Sequence, residues 1–155
     1  LEFKGGGGTR IDTTLEAGRL LTNYKGKLYE VEGLLSGKGI GTLCKLNGIE
    51  DIPSGKEFFE AVRQSREDIR PVYEEWKNRM AVFFADLQLL FDNEAYALSG
   101  GVRKSKDLFV EDVEKKANAL IEVWHLHPIV LNEALFKQDV GLAAGCALAL
   151  DVLGK

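Results

Sequence analysis

Cysteine, histidine and methionine are scarce: the 155 residues hold two, two and one of them. Cys44 and Cys146 stand far outside Cys-x-x-Cys spacing, so they read as buried thiols of a reducing cytoplasm and not as a disulfide framework. A Cys/His zinc site is not expected from so few scattered ligands. Long apolar runs are also missing, and nothing approaches the roughly 18 residues of a membrane span. The opening LEFKGGGGTR lacks the apolar stretch of a secretory signal. Leu1, where an initiator methionine would stand, predicts a processed or partial chain. Basic excess is absent too: 20 Lys and Arg against 24 Asp and Glu leave a net charge of −4. That argues against a general nucleic-acid binder and against a polybasic membrane-surface protein. No GxSxG, HExxH or GxxxxGK[ST] motif occurs.

What is present fits one soluble domain. The length allows a sizeable core without staples, and 45% hydrophobic with 28% charged residues is ordinary for a globular chain. Residues 1–10 read as a glycine-rich linker, since ordering the run Gly5–Gly8 costs much backbone entropy. A phosphate-cradling loop is the competing reading, though no strand precedes it. Residues 11–155 form the domain. Leu28, Val31, Leu34 and Leu35 recur at helical spacing, and a second short helix spans Gly39 to Leu46. Ser54 and Glu57 have capping-box spacing ahead of Phe58, Phe59 and Val62. The longest signal runs from about Arg66 to Phe91, with Pro71 marking either a first turn or a kink. Its stripe Tyr73, Trp76, Met80, Phe83 and Leu87 should be buried, so that Phe83→Ala costs roughly 3–5 kcal/mol. Ala95–Leu98 reads as a buried strand feeding Ser99-Gly100-Gly101. A helix over Ser105–Leu120, a strand over Val123–Leu131 and a helix over Val140–Leu153 follow. This alternation predicts an α/β fold with a sheet covered by helices.

Three places could carry chemistry. Gly100 and Gly101 after a strand would let a ligand lie against bare backbone at the carboxyl end of a sheet; a plain strand-to-helix turn explains the same residues. His125 and His127 share one face of a strand, but no acidic or thiol ligands cluster with them. Glu16 and Glu32 stand beside glycine-containing turns, where carboxylates can accept hydrogen bonds from sugar hydroxyls; ordinary surface charge fits them equally.

Taken together, Leu15 to Leu150 resembles the C-terminal half of the ROK family of sugar kinases and sugar-responsive repressors. Leu15-Glu16-Ala17-Gly18-Arg19 stands where the family has Gly-Glu-x-Gly-His. LYEVEGLLSG over Leu28–Gly37 is similar to its Leu-Glu-x-x-x-Ser-Gly segment. DNEAYALSGGV over Asp92–Val102 resembles the strand and Gly-Gly turn that meet the nucleotide. QDVGLAAGCALAL over Gln138–Leu150 resembles the closing helix.

The resemblance implies one lobe of an actin-like ATPase, or ribonuclease-H-like, fold. It implies that Glu16 and Glu32 contact hexose hydroxyls, and that Gly100 and Gly101 lie next to the adenosine of ATP, which acts with Mg2+ in the full-length parent. Arg19 takes the place of a histidine that contacts sugar and often zinc, and the family's zinc cysteines are absent, so no zinc is expected. The catalytic aspartate and first phosphate loop belong to an N-terminal lobe that these residues do not contain, so the lobe alone should be inactive. Its implied partners are the hexose and that other lobe, without nucleic acid or membrane; a homodimer is compatible with it, and the cytoplasm is the implied location. A sugar-responsive repressor sharing this lobe, or a degenerate non-catalytic member, is the alternative.

Overall fold

The computed structural model of the chain describes residues 16–133. The Gly5–Gly8 run, Cys146 and the closing helix expected over Val140–Leu153 lie outside the described residues. The first element is a hairpin of β1 (Leu21–Tyr24) and β2 (Lys27–Glu30), antiparallel, with Leu21 opposite Glu30 and Tyr24 opposite Lys27. Lys25 (φ 49°) and Gly26 (φ 78°) both take left-handed backbone, the twist that two-residue hairpin turns need. Leu28 therefore lies in a strand, solvent-exposed, and does not begin a helix. Helical structure starts only at α1 (Glu32–Leu35) and resumes in α2 (Gly39–Leu46). These two pack closely because Gly39 has no side chain: a Cβ there would fall 2.4 Å from the Glu32 carbonyl oxygen.

Helix α3 (Gly55–Arg63) starts at the expected cap. The Ser54 oxygen accepts from the Lys56 N–H at 3.3 Å. Glu57 does not reach back to the backbone as a capping box would; it accepts the Ser54 hydroxyl proton at 2.5 Å. Helix α4 (Arg70–Phe91) places Pro71 in its first turn, where a missing N–H costs nothing, so no kink is needed. The long helix thus begins four residues later than the periodicity suggests. Its C-terminus ends on Asp92 in left-handed backbone at φ 45°.

A strand β3 (Tyr96–Leu98) pairs in parallel with β4 (Leu131–Glu133). Between them run a 3-10 turn over Val102–Ser105 and helix α5 (Lys106–Ile121). The strand expected over Val123–Leu131 is a 3-10 turn, Glu122–Trp124, and then irregular chain. His125 is left-handed (φ 51°) and Pro128 has no N–H for a ladder. The α/β class holds, but the described strands form two small two-stranded sheets, not one broad one.

The core lies between α3, α4 and α5. Trp76 is fully buried, with ring centroids 5.0 Å from Phe109 and 5.4 Å from Phe59. Its indole N–H donates to the Leu35 carbonyl at 3.1 Å, which ties α1 to the core. Met80 and Leu87 are buried as expected, whereas Tyr73 and Phe83 are only partly so. Phe83 lines an outer groove against the hairpin, so Phe83→Ala leaves no closed cavity and costs less than a buried aromatic would. Helices α4 and α5 pack side by side, clasped by Lys77 to Asp112 at 2.7 Å, and Gln88 of α4 donates to the His127 carbonyl, in the chain beyond α5, at 3.0 Å.

The clasp makes stability depend on acid. Lys77 beside Glu74 and Asp112 holds both carboxyls below their usual range, and Arg66 does the same for Asp51 and Asp68. Folded values below unfolded ones mean that this stabilisation is complete above the unfolded pKa, about 4, and is lost as pH falls through the folded values. Thermal midpoints should be flat from pH 7 to about 5 and decline below about 4, modestly because these pairs are largely exposed. A midpoint that stayed constant to pH 3 would contradict this.

Candidate nucleotide and sugar site

Three helix beginnings meet in one cleft. Lys38 precedes α2, Ser54 precedes α3 and Ser105 precedes α5, and all three line a cleft of about 480 Å³. Helix N-termini carry the positive end of the helix dipole, although the first N–H groups of α2 (Gly39, Ile40) and of α3 (Gly55, Lys56) are already bonded to Ser36, Gly37 and Ser54. Lys38, Lys56 and Lys104 add charge at the same cleft, and Phe59 and Val102 supply apolar wall. At one side Arg63 makes two hydrogen bonds of 2.8 Å to Asp107, joining α3 to the start of α5. Such a cleft, mainly apolar and lined by three lysines against one acid, Glu60, suits an anion carrying an apolar group.

Local sequence explains the close approach of the walls. Two Ser-Gly-Lys tripeptides, Ser36-Gly37-Lys38 and Ser54-Gly55-Lys56, lie back to back, with the Gly55 N–H donating to the Gly37 carbonyl at 2.5 Å. A Cβ on Gly55 would stand 3.1 Å from the Gly37 Cα. On the opposite side the chain leaves β3 through Ser99 and Gly100. Gly100 adopts φ +73°, a conformation that favours glycine. Gly101 lines the cleft, and a Cβ there would meet nothing within 4 Å. The open space expected at Gly101 is therefore present, at the carboxyl end of the strand.

The carboxylates lie at a neighbouring corner. Glu16 caps a 3-10 turn, Ala17–Arg19, which rests on α1. Gly18 lies against Glu32: a Cβ on it would come 3.1 Å from the Glu32 Cβ and 3.3 Å from its Oε2. Glu16 and Glu32 are both exposed. Arg19 is engaged elsewhere, donating to Glu30 at 3.3 Å. Glu32 opens α1 and Gly37 follows its end, so about 18 Å of extended chain is the most that can separate them. Neither glutamate lines the cleft, though the Glu32 carbonyl lies against Gly39, where α2 begins. His127 is held by Asp92, 3.1 Å from its Nδ1, with the Asp92 carboxyl kept low by the His127 backbone N–H. No cluster of three His, Cys, Asp or Glu suited to a metal occurs among the described residues. Burial raises the Cys44 thiol to about 11, so it stays protonated.

As cleft residues the three lysines and both serines escaped sequence reasoning, Ser54 having been read only as a helix cap. The repeated Ser-Gly-Lys tripeptide was the signal that could have found three of the five, Lys38, Ser54 and Lys56.

Among solved structures, the chain is similar to a proposed sugar kinase from Cytophaga hutchinsonii, with a TM-score of 0.69 at 18% identity. That likeness covers 96% of this chain and 50% of the other. It is also similar to a ROK family glucokinase from Streptomyces griseus solved with glucose and AMPPNP, with a TM-score of 0.54 at 24% identity over 76% of this chain and 38% of the other. The chain therefore spans half or less of the length of either protein and shares their actin-like fold. No curated protein matches it. No helix among the described residues is long and apolar enough to cross a membrane. The ROK family model matches residues 27–152, which leaves Glu16 and Arg19 outside the match. It takes in Glu32, both walls of the cleft and the Gly-Gly turn, and on that coverage the chain belongs to the ROK family.

Proposed function

We propose that the chain is the C-terminal lobe of an ATP-dependent hexose kinase, glucokinase-like, which supplies nucleotide and sugar contacts. The observation that carries this reading is the convergence of three helix N-termini and three lysines on one cleft beside the open Gly101 backbone. The positive ends of the helix dipoles, together with the three ammonium groups, favour phosphate oxygens. Val102, with the edge of the nearly buried Phe59 behind it, offers apolar surface to a purine. Glu32 and Glu16, at the adjoining corner, accept hydrogen bonds from hexose hydroxyls. The similar glucokinase was solved with glucose and AMPPNP, which supports pairing these two ligands here.

Phosphoryl transfer needs donor, acceptor and base held in line. No base is assigned among these residues, so the chain by itself binds and does not turn over. A degenerate, non-catalytic member is the second reading, favoured by the engagement of Arg19 with Glu30 at the expected sugar corner. Joining the chain to the missing lobe decides between them: glucose phosphorylation by the joined protein supports the kinase, and ligand binding without turnover supports the degenerate member.

Calorimetric titration with AMPPNP tests the cleft. Gly101→Val should lower affinity at least tenfold, about 1.4 kcal/mol. It should leave the thermal midpoint nearly unchanged, because the added side chain meets only open space. Equal affinity in the variant would sink the nucleotide assignment. Titration with glucose tests the second corner. Glu32→Ala removes a charged acceptor worth roughly 1.5–3 kcal/mol, so glucose binding should weaken about tenfold or more while AMPPNP binding holds. Loss of both ligands together would instead mean that Glu32 supports the fold.

A further inference from the structure

Arg103 lies in the middle of the Val102–Ser105 turn, yet it is the one residue of that turn that does not line the cleft. It is only 8% exposed. Its Nη1 donates to Glu133 Oε1 at 2.5 Å, and the other Glu133 oxygen accepts from Lys106 at 2.7 Å. Glu133 ends β4 opposite Leu98, the last residue of β3. The pair therefore ties the turn back to the strand end that the chain has just left. Lys106, and after it Arg103, keeps the Glu133 carboxyl below the usual carboxylate range, so it is ionised at neutral pH.

The pair is poorly built for stability alone. Among the described residues the buried Arg103 Nε has no hydrogen-bond partner. Removing two charges from water offsets most of their attraction, and apolar residues of similar volume often replace such pairs at no loss. What an apolar pair does not supply is a fixed direction. We propose that Arg103 is a positioning residue: held by Glu133, it fixes the Gly101–Ser105 turn so that the Gly101 backbone and Lys104 face the nucleotide. This inference rests on the nucleotide reading of the cleft.

The test compares Arg103→Met, Arg103→Lys and the double variant Arg103→Met/Glu133→Leu in the full chain. AMPPNP affinity, thermal midpoint and amide exchange are measured for each. Arg103→Met should bind AMPPNP at least tenfold more weakly, with amides of Val102–Ser105 exchanging at least tenfold faster and those of Gly55–Arg63 unchanged. Arg103→Lys, which keeps the link to Glu133, should return to within about threefold of the wild-type affinity. The double variant should recover its thermal midpoint but not its affinity. If affinity follows the midpoint through the whole series, or if exchange in the turn does not change, the positioning role is wrong. A wild-type chain that binds no AMPPNP overturns the nucleotide reading instead. The exchange rates then decide by themselves whether Arg103 holds the turn.

Discussion

Trp76→Ala should lower the stability of the domain by roughly 3–5 kcal/mol, the usual cost of emptying a fully buried large aromatic site. The indole has no exposed surface and meets three rings, those of Phe58, Phe59 and Phe109. Those rings come from α3 and α5, so the cavity opens at the junction of three helices and cannot close by moving one of them. The same substitution strips the Leu35 carbonyl of its indole donor. A buried acceptor left without its partner adds roughly 1–3 kcal/mol, part of which overlaps with the cavity cost. For a domain of this size the thermal midpoint should fall by roughly 6–20 °C. Trp76→Phe separates the two effects, because it keeps most of the volume and loses the donor. A midpoint shift below about 2 °C in Trp76→Ala would show that this packing is not the centre of the core.

Gly41→Ala should be the second most damaging change, although alanine is the better helix former. The propensity gain is about 1 kcal/mol. Against it, the new Cβ would stand 2.1 Å from the Pro53 carbonyl oxygen and 2.6 Å from the Pro53 carbonyl carbon. Backbone atoms cannot swing aside as a side chain can, so α2 or the Pro53–Ser54 segment must move. Overpacking of this kind costs roughly 1–3 kcal/mol, occasionally more, and here it should outweigh the propensity. The displaced segment carries Ser54, Gly55 and Lys56, one wall of the cleft, so AMPPNP affinity should fall with stability. Gly33→Ala is the control: it lies in α1 with nothing within 4 Å of the added carbon. That change should stabilise by roughly 0.5–1 kcal/mol. Two glycines in short helices responding with opposite signs would be hard to explain by propensity, and equal responses would refute the steric account.

The parts of the fold legible in sequence are those set by local periodicity. Helix α2 is found where its spacing puts it, α3 starts at Ser54, and the buried stripe of α4 holds at Trp76, Met80 and Leu87. The hairpin escaped because Leu28, Val31, Leu34 and Leu35 satisfy a helical period across a strand-to-helix junction, and Lys25-Gly26 is a weaker turn signal than Asn-Gly. The later strand was misplaced because β-branched residues over Val123–Leu131 outweighed Pro128 in the reading. The glycine turn after β3 was legible because a strand ending in glycines has a local meaning, and of its two glycines Gly101 lines the cleft. The lysines of the cleft were not, since Lys38, Lys56 and Lys104 become neighbours only once three separate helices pack.

The parallel pairing of β3 with β4 also bears on the order of events in folding. Tyr96 meets Leu131 across 131 − 96 = 35 residues, whereas α4 and α5 each form from neighbours in sequence. Helices form in about a microsecond or less, while a distant strand pair must first meet the entropy of closing its loop. Strand β4 and the Arg103–Glu133 link should therefore assemble late, after α5 has shortened the distance they must span, an order that φ-values at Leu131 near zero would bear out. Interactions made after the rate-limiting step act on unfolding more than on folding. The wall that carries Lys104 is then among the last regions to form and the first to open, so a ligand gripping it should lengthen the lifetime of the folded chain without hastening its birth.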